Sequence, residues 1–128
     1  GDVTATLGIV GETVNATCDG LFCQPCAPEE ENFEQYYAAA TSPAYVLDIA
    51  NANHVSFLDD PNCGFTCNAC DPGTDDPEVT RTLTQGALIA FLELVVRENE
   101  RARAYLDGAE AQADADAGLV SFESKNGF

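Results

Sequence analysis

Residues 3–12, VTATLGIVGE, place Val3, Leu7 and Ile9 on one face and Val10 on the other before Gly11 closes the run. That alternation predicts a buried β-strand. Residues 13–28 carry Gly20, Pro25 and Pro28 and read as a loop. In PEEENFEQYYAAA, Pro28 stands at a helix entrance and three glutamates fill the first turn, where acidic groups complement the helix dipole. Phe33, Tyr36 and Tyr37 recur at helical spacing and read as a core face, and Ser42-Pro43 ends the helix. AYVLDIA, residues 44–50, predicts a second strand. A turn-prone segment, ANANHVSFLDDP, and a turn-rich linker, DPGTDDPE, come next.

The longest periodic stretch runs from about residue 78 to 106. Val79, Leu83, Ala87, Leu88, Phe91, Leu92 and Val95 line one side, and Glu93, Arg97, Glu98 and Arg101 are solvated. Gly108 breaks it. AEAQADADAG suggests a weaker helix, and LVSFESKNGF reads as a tail whose order the pattern leaves open. The order strand, helix, strand, helix is an α/β pattern with a parallel strand pair. Two strands do not bury both faces of a sheet. Residues 1–107 are therefore expected to complete a mostly parallel sheet whose other strands lie elsewhere, with residues 108–128 as an acidic, alanine-rich tail.

Charge narrows the partners. Five Lys and Arg stand against 22 Asp and Glu, a net charge of −17. Nucleic acid binding needs clustered cations that release counterions, and four of the five cations are Arg81, Arg97, Arg101 and Arg103 on one predicted helix. An anionic membrane surface is disfavoured on the same ground, and such an acidic surface also suits a saline environment. No apolar run reaches the length of about 18 residues that spans a bilayer. The opening GDVTATLGIV lacks the basic and apolar regions of a signal peptide, so an exported protein is expected here in processed form.

The six cysteines form two clusters, Cys18, Cys23 and Cys26, then Cys63, Cys67 and Cys70. CQPC and CNAC are C-x-x-C pairs of the kind that hold a tetrahedral zinc through four thiolates. That arrangement leaves one cysteine over in each cluster. An even count in an acidic chain reads more simply as disulfides in an oxidising compartment, secreted or periplasmic, with 15 connectivities open. Asp59, Asp60 and DPGTDD lack EF-hand spacing and read as solvated acidic loops. Asn15-Ala16-Thr17 is a short glycosylation pattern that arises often by chance.

The single histidine, His54, follows the second predicted strand after a short loop. This puts it at the carboxyl edge of a parallel sheet, where open α/β folds keep their active sites. LGIVGE, CAPEEENFEQYYAAATSPAYVLDIANANHVSFLDDP and TRTLTQGALIAFLELVV together resemble the C-terminal part of chlorophyllase-like and platelet-activating-factor-acetylhydrolase-like α/β-hydrolases. The likeness rests on the Gly11-Glu12 strand end, CAP followed by NFEQYY, and a histidine with an aromatic and LDD close behind. It covers roughly residues 3–97.

The resemblance implies a serine carboxylic ester hydrolase needing no metal or organic cofactor, with His54 as general base. The G-x-S-x-G elbow that holds the nucleophile in this architecture is not in the chain, whose serines are Ser42, Ser56, Ser121 and Ser124. The resemblance places the acid on an earlier strand, upstream of Gly1; Glu12, or less favourably Asp19, is the alternative. An N-terminal chain carrying the serine is thus an implied partner. Phe57, beside His54, is a candidate to line an acyl pocket, with Phe22 and Phe65 weaker ones. Small-molecule, lipid and polymeric esters all remain open as substrates. The rival readings are a disulfide-stabilised binding module without catalysis and a zinc-thiolate interaction module.

Overall fold

The computed structural model describes residues 5–13, 27–28, 30–59 and 73–128. All six cysteines lie outside the described residues, as do Asn15, Asp19, Phe22 and Phe65, so the disulfide and zinc readings rest on sequence alone. Strand β1 (Leu7–Glu12) is followed by helix α1 (Phe33–Ala39), strand β2 (Ala44–Ile49) and helix α2 (Pro77–Val95). A 3-10 helix (Glu100–Tyr105), helix α3 (Ala109–Asp116) and strand β3 (Val120–Lys125) complete the order. The sheet runs β1-β2-β3, with β1 parallel to β2 and β3 antiparallel to it.

Both predicted strands form, the first over Leu7–Glu12 and half-buried rather than buried, in a register that pairs Gly11 with Asp48 and Glu12 with Ile49. Two glycines show how the helices flank them. Gly8 and Gly11 are three residues apart and so face opposite sides of the sheet. A β-carbon on Gly8 would lie 2.7 Å from the Phe91 ring of α2, and one on Gly11 2.5 Å from the Phe33 ring of α1. Glycine is what allows each ring to sit flat on the backbone. The α2 side holds the core: Tyr45, Leu47 and Ile49 pack with Ala87, Ala90, Leu94, Ala102, Leu106 and Val120.

The expectations for the two helices are corrected in four respects. Helix α1 starts at an Asn32 cap, whose side chain accepts from the Glu34 N–H at 3.0 Å, and not at Pro28. Tyr36 of its expected core face is exposed. The long helix keeps Leu83, Ala87 and Phe91 of its expected face against the core and adds Thr80, Ala90 and Leu94, while Val79, Leu88, Leu92 and Val95 are exposed. Ala87 and Ala90 share the contact with Leu83, Phe91 and Leu94, and the exposed apolar residues flank it. The helix also stops at Val95, before Glu98 takes a positive φ of 56°.

The segment read as a tail has structure. Val120 and Phe122 face the core opposite Ile49 and Leu47. Lys125 Nζ donates to the Ala38 carbonyl at 3.0 Å, and the Asn126 amide donates to the carbonyls of Ala40 at 3.1 Å and Ser42 at 2.9 Å. These bonds satisfy carbonyls at the exit of α1 and clamp that helix beside the sheet. The Phe128 ring stacks on Tyr45 at 5.1 Å and on Phe91 at 6.0 Å.

Candidate active site

The site grows out of the carboxyl ends of the parallel pair. Strand β1 delivers Glu12 and β2 runs through Ile49 and Ala50 into a turn that carries His54. The backbone ties the two ends together: the Thr13 N–H donates to the Ile49 carbonyl at 3.3 Å, and the Asn51 N–H donates to the Thr13 hydroxyl at 2.7 Å. Asn51 takes a positive φ of 62°, a left-handed conformation that asparagine tolerates better than most residues, and the chain reverses there.

This brings His54 Nδ1 to 3.0 Å from Glu12 Oε1, across 42 positions of sequence. The Glu12 side chain is 9% exposed and the imidazole 60%. A carboxylate only accepts, so Nδ1 carries the ring proton in the neutral imidazole and Nε2 carries the lone pair. A mostly buried carboxylate thus selects the tautomer and orientation of a ring that reaches toward solvent. That is the arrangement of a general base and its orienting acid. Of the two acids weighed from sequence within this chain, Glu12 is the one brought to the histidine; Asp19 lies outside the described residues.

The other side of the sheet carries a second carboxyl. Asp48 lines a cavity of about 270 Å³ with Phe33, Glu34, Tyr37, Val46, Ser121, Phe122 and Glu123. Its Oδ1 is buried with no hydrogen-bond partner among the described residues. Burial, helped by the charges of Glu34 and Glu12, pushes the Asp48 carboxyl up to about 6. Glu34 and Glu123 supply further negative charge, so the cavity repels anions. Among the described residues no group of histidine, cysteine, aspartate or glutamate is clustered to hold a metal.

Residues 2–120 match the family model described as Chlorophyllase. The chain belongs to the chlorophyllase family. That membership supports an esterase-type hydrolase with an α/β-hydrolase fold, and the matched residues include both Glu12 and His54. No curated protein and no solved structure matches the chain.

Within this chlorophyllase-family chain, the remaining candidates fall in different places. Phe57 is half-buried and packs against the core cluster beneath the His54 turn. Ser42 stands at the entrance of β2, the end of the sheet away from His54. Ser121 and Ser124 lie on β3 opposite Asp48 and Tyr45. Ser56 is buried in a hydrogen-bond network with Asn53 and Asp75. That network was not singled out from sequence. Its one legible sign is the Asn53-x-x-Ser56 spacing, which lets an asparagine side chain accept N–H groups two and three residues on.

Proposed function

We propose that this chain is the histidine-bearing part of a secreted serine carboxylic ester hydrolase, in which Glu12 orients His54 and His54 is the general base. The observation that carries the reading is the Glu12–His54 hydrogen bond at the carboxyl edge of a parallel strand pair, in a chlorophyllase-family chain. His54 Nε2 takes the proton of a serine hydroxyl as that oxygen attacks the ester carbonyl. Glu12 stabilises the imidazolium that results. The proton then passes to the leaving alcohol, and a water activated by Nε2 releases the acid from the acyl-serine.

The nucleophile comes from polypeptide outside these 128 residues. Two features support this. No serine here stands in a G-x-S-x-G elbow. And β1 is an edge strand among the described residues, flanked by an apolar cavity of about 150 Å³ between Gly8, Ile9 and Val10 of β1 and Leu88, Phe91 and Leu92 of α2. An open edge with apolar side chains beside it suits another parallel strand and its covering helix.

The test is an active-site-directed fluorophosphonate applied to the assembled protein, with the labelled residue located by mass spectrometry. The label is expected on one serine outside residues 1–128, and it should disappear in the His54→Ala variant. Labelling of Ser42, Ser56, Ser121 or Ser124, or labelling indifferent to His54, would refute the proposal.

A further inference from the structure

The His54 imidazole is mostly exposed and meets Glu12 from a turn, so the backbone that carries it shares in setting its position. That backbone is held by a buried polar knot. Asn53 and Ser56 are each 4% exposed and Thr80 is 1% exposed. Asn53 Oδ1 accepts from the N–H of Val55 at 3.1 Å and of Ser56 at 3.0 Å, closing the turn around His54. The Ser56 hydroxyl accepts from the Asn53 N–H at 3.0 Å.

The Ser56 hydroxyl has one proton to give and two acceptors in reach, Asn53 Oδ1 at 3.0 Å and Asp75 Oδ1 at 2.9 Å. The ionised carboxylate is the stronger acceptor and takes it. The other oxygen of Asp75, Oδ2, accepts from the Thr80 hydroxyl in the first turn of α2. A second tie runs alongside, from the Thr74 N–H to the Asn51 carbonyl at 2.9 Å. The chain comes so close there that a β-carbon on Gly73 would lie 2.8 Å from that carbonyl oxygen.

We infer that Asp75 is a positioning residue for His54: by bridging Ser56 and Thr80 it locks the turn of residues 53–56 onto α2 and so holds the imidazole against Glu12. The inference rests on His54 being the base of the proposed hydrolase. The hydrogen bonds of the Asp75 carboxylate go to Ser56 and Thr80, and it acts on the ring through Ser56. A carboxylate suits the task because it offers two acceptors to two hydroxyl donors that approach from different elements. Without it, the buried Ser56 and Thr80 hydroxyls each lose their charged acceptor, and the turn is free to tilt.

The test compares the assembled wild-type protein with Asp75→Ala and Asp75→Asn. Two readouts are taken: ester kinetics, and the ring 15N shifts of His54, assigned by their loss in His54→Gln. Asp75→Ala is expected to lower kcat about 10- to 100-fold with KM little changed, as loss of alignment does. The ring should move from the Nδ1-protonated tautomer toward a mixture. Asp75→Asn, whose amide can accept from one hydroxyl and donate to the other, should recover part of both. If Asp75→Ala does not fold, Thr80→Val removes one arm of the bridge and should show the same changes in smaller measure. The ring shifts need no turnover, so an assembly that hydrolyses no ester would sink the hydrolase reading and still leave the positioning claim decided. A wild-type tautomer in Asp75→Ala would overturn the inference, whatever happened to kcat.

Discussion

Asp48 gives a prediction whose sign and size both follow from its surroundings. Its side chain points to the α1 face of the sheet, with one oxygen buried and unpartnered among the described residues. Burial, then Glu34 and Glu12, raise its pKa from 3.8 to about 6. A folded pKa above the unfolded one means that the native state holds the proton more tightly. The stability contributed by Asp48 is therefore complete below about pH 3.8 and is lost as pH rises through about 6. At roughly 1.4 kcal/mol per pKa unit the full cost of ionising it would be about 3 kcal/mol. Part of the carboxylate reaches water, and screening brings the expected figure to about 1–2 kcal/mol.

Asp48→Asn keeps the shape of the side chain and removes the charge. Thermal melts of the assembled protein from pH 4 to 8 should show near-equal Tm values at pH 4. The variant should then gain an advantage that grows toward pH 6 and levels off by pH 7, reaching about 3–6 °C. Acid-sensitive groups elsewhere are common to both proteins and cancel in the difference. A Tm difference that stays constant across this range would refute the reasoning, because it would mean Asp48 does not titrate as its surroundings dictate. So would a wild type that is more stable at pH 7.

Further outcomes follow from particular contacts. Glu12→Gln keeps a hydrogen-bonding oxygen beside His54 but loses the charge that stabilises the imidazolium; ester turnover should fall about 10²- to 10⁴-fold with little change in Tm. Gly11→Ala places a methyl against the Phe33 ring and should destabilise the assembly by about 1–3 kcal/mol, read as a lower urea midpoint. Asn32→Ala removes the cap of α1 and should cost about 1 kcal/mol by the same measurement.

The strands were legible because their apolar runs are short and bounded by turn residues, and α2 because its periodicity is long. Which residues at the edges of its apolar stripe pack was not. Periodicity marks apolar positions without saying which of them meet the sheet, and here Ala87 and Ala90 are buried while Leu88 and Leu92 are exposed. Residues 120–125 do alternate, with Val120 and Phe122 between Ser121 and Glu123, but a lone alternating segment has no visible partner. Its pairing with β2 closes more than 70 residues of chain, and only the fold reveals it. His54 was legible as a candidate from its place after a strand. Glu12 was legible only as an alternative acid at the Gly11-Glu12 strand end, and what singles it out is that two strand ends bring it to 3.0 Å from His54. Asp75 lay inside a run of turn-forming acidic residues, where nothing in the pattern separates a half-buried bridge from a solvated side chain.

The most direct test of the account is ester turnover by the assembled protein with His54 replaced by alanine. A side chain that reaches solvent from a turn contributes little packing, so His54→Ala should melt close to wild type. Its turnover should fall by at least about 10³-fold, as when one member of a cooperating triad is removed. A folded His54→Ala assembly that keeps more than about a tenth of wild-type turnover would contradict the account, because the ring that Glu12 orients would then be a bystander.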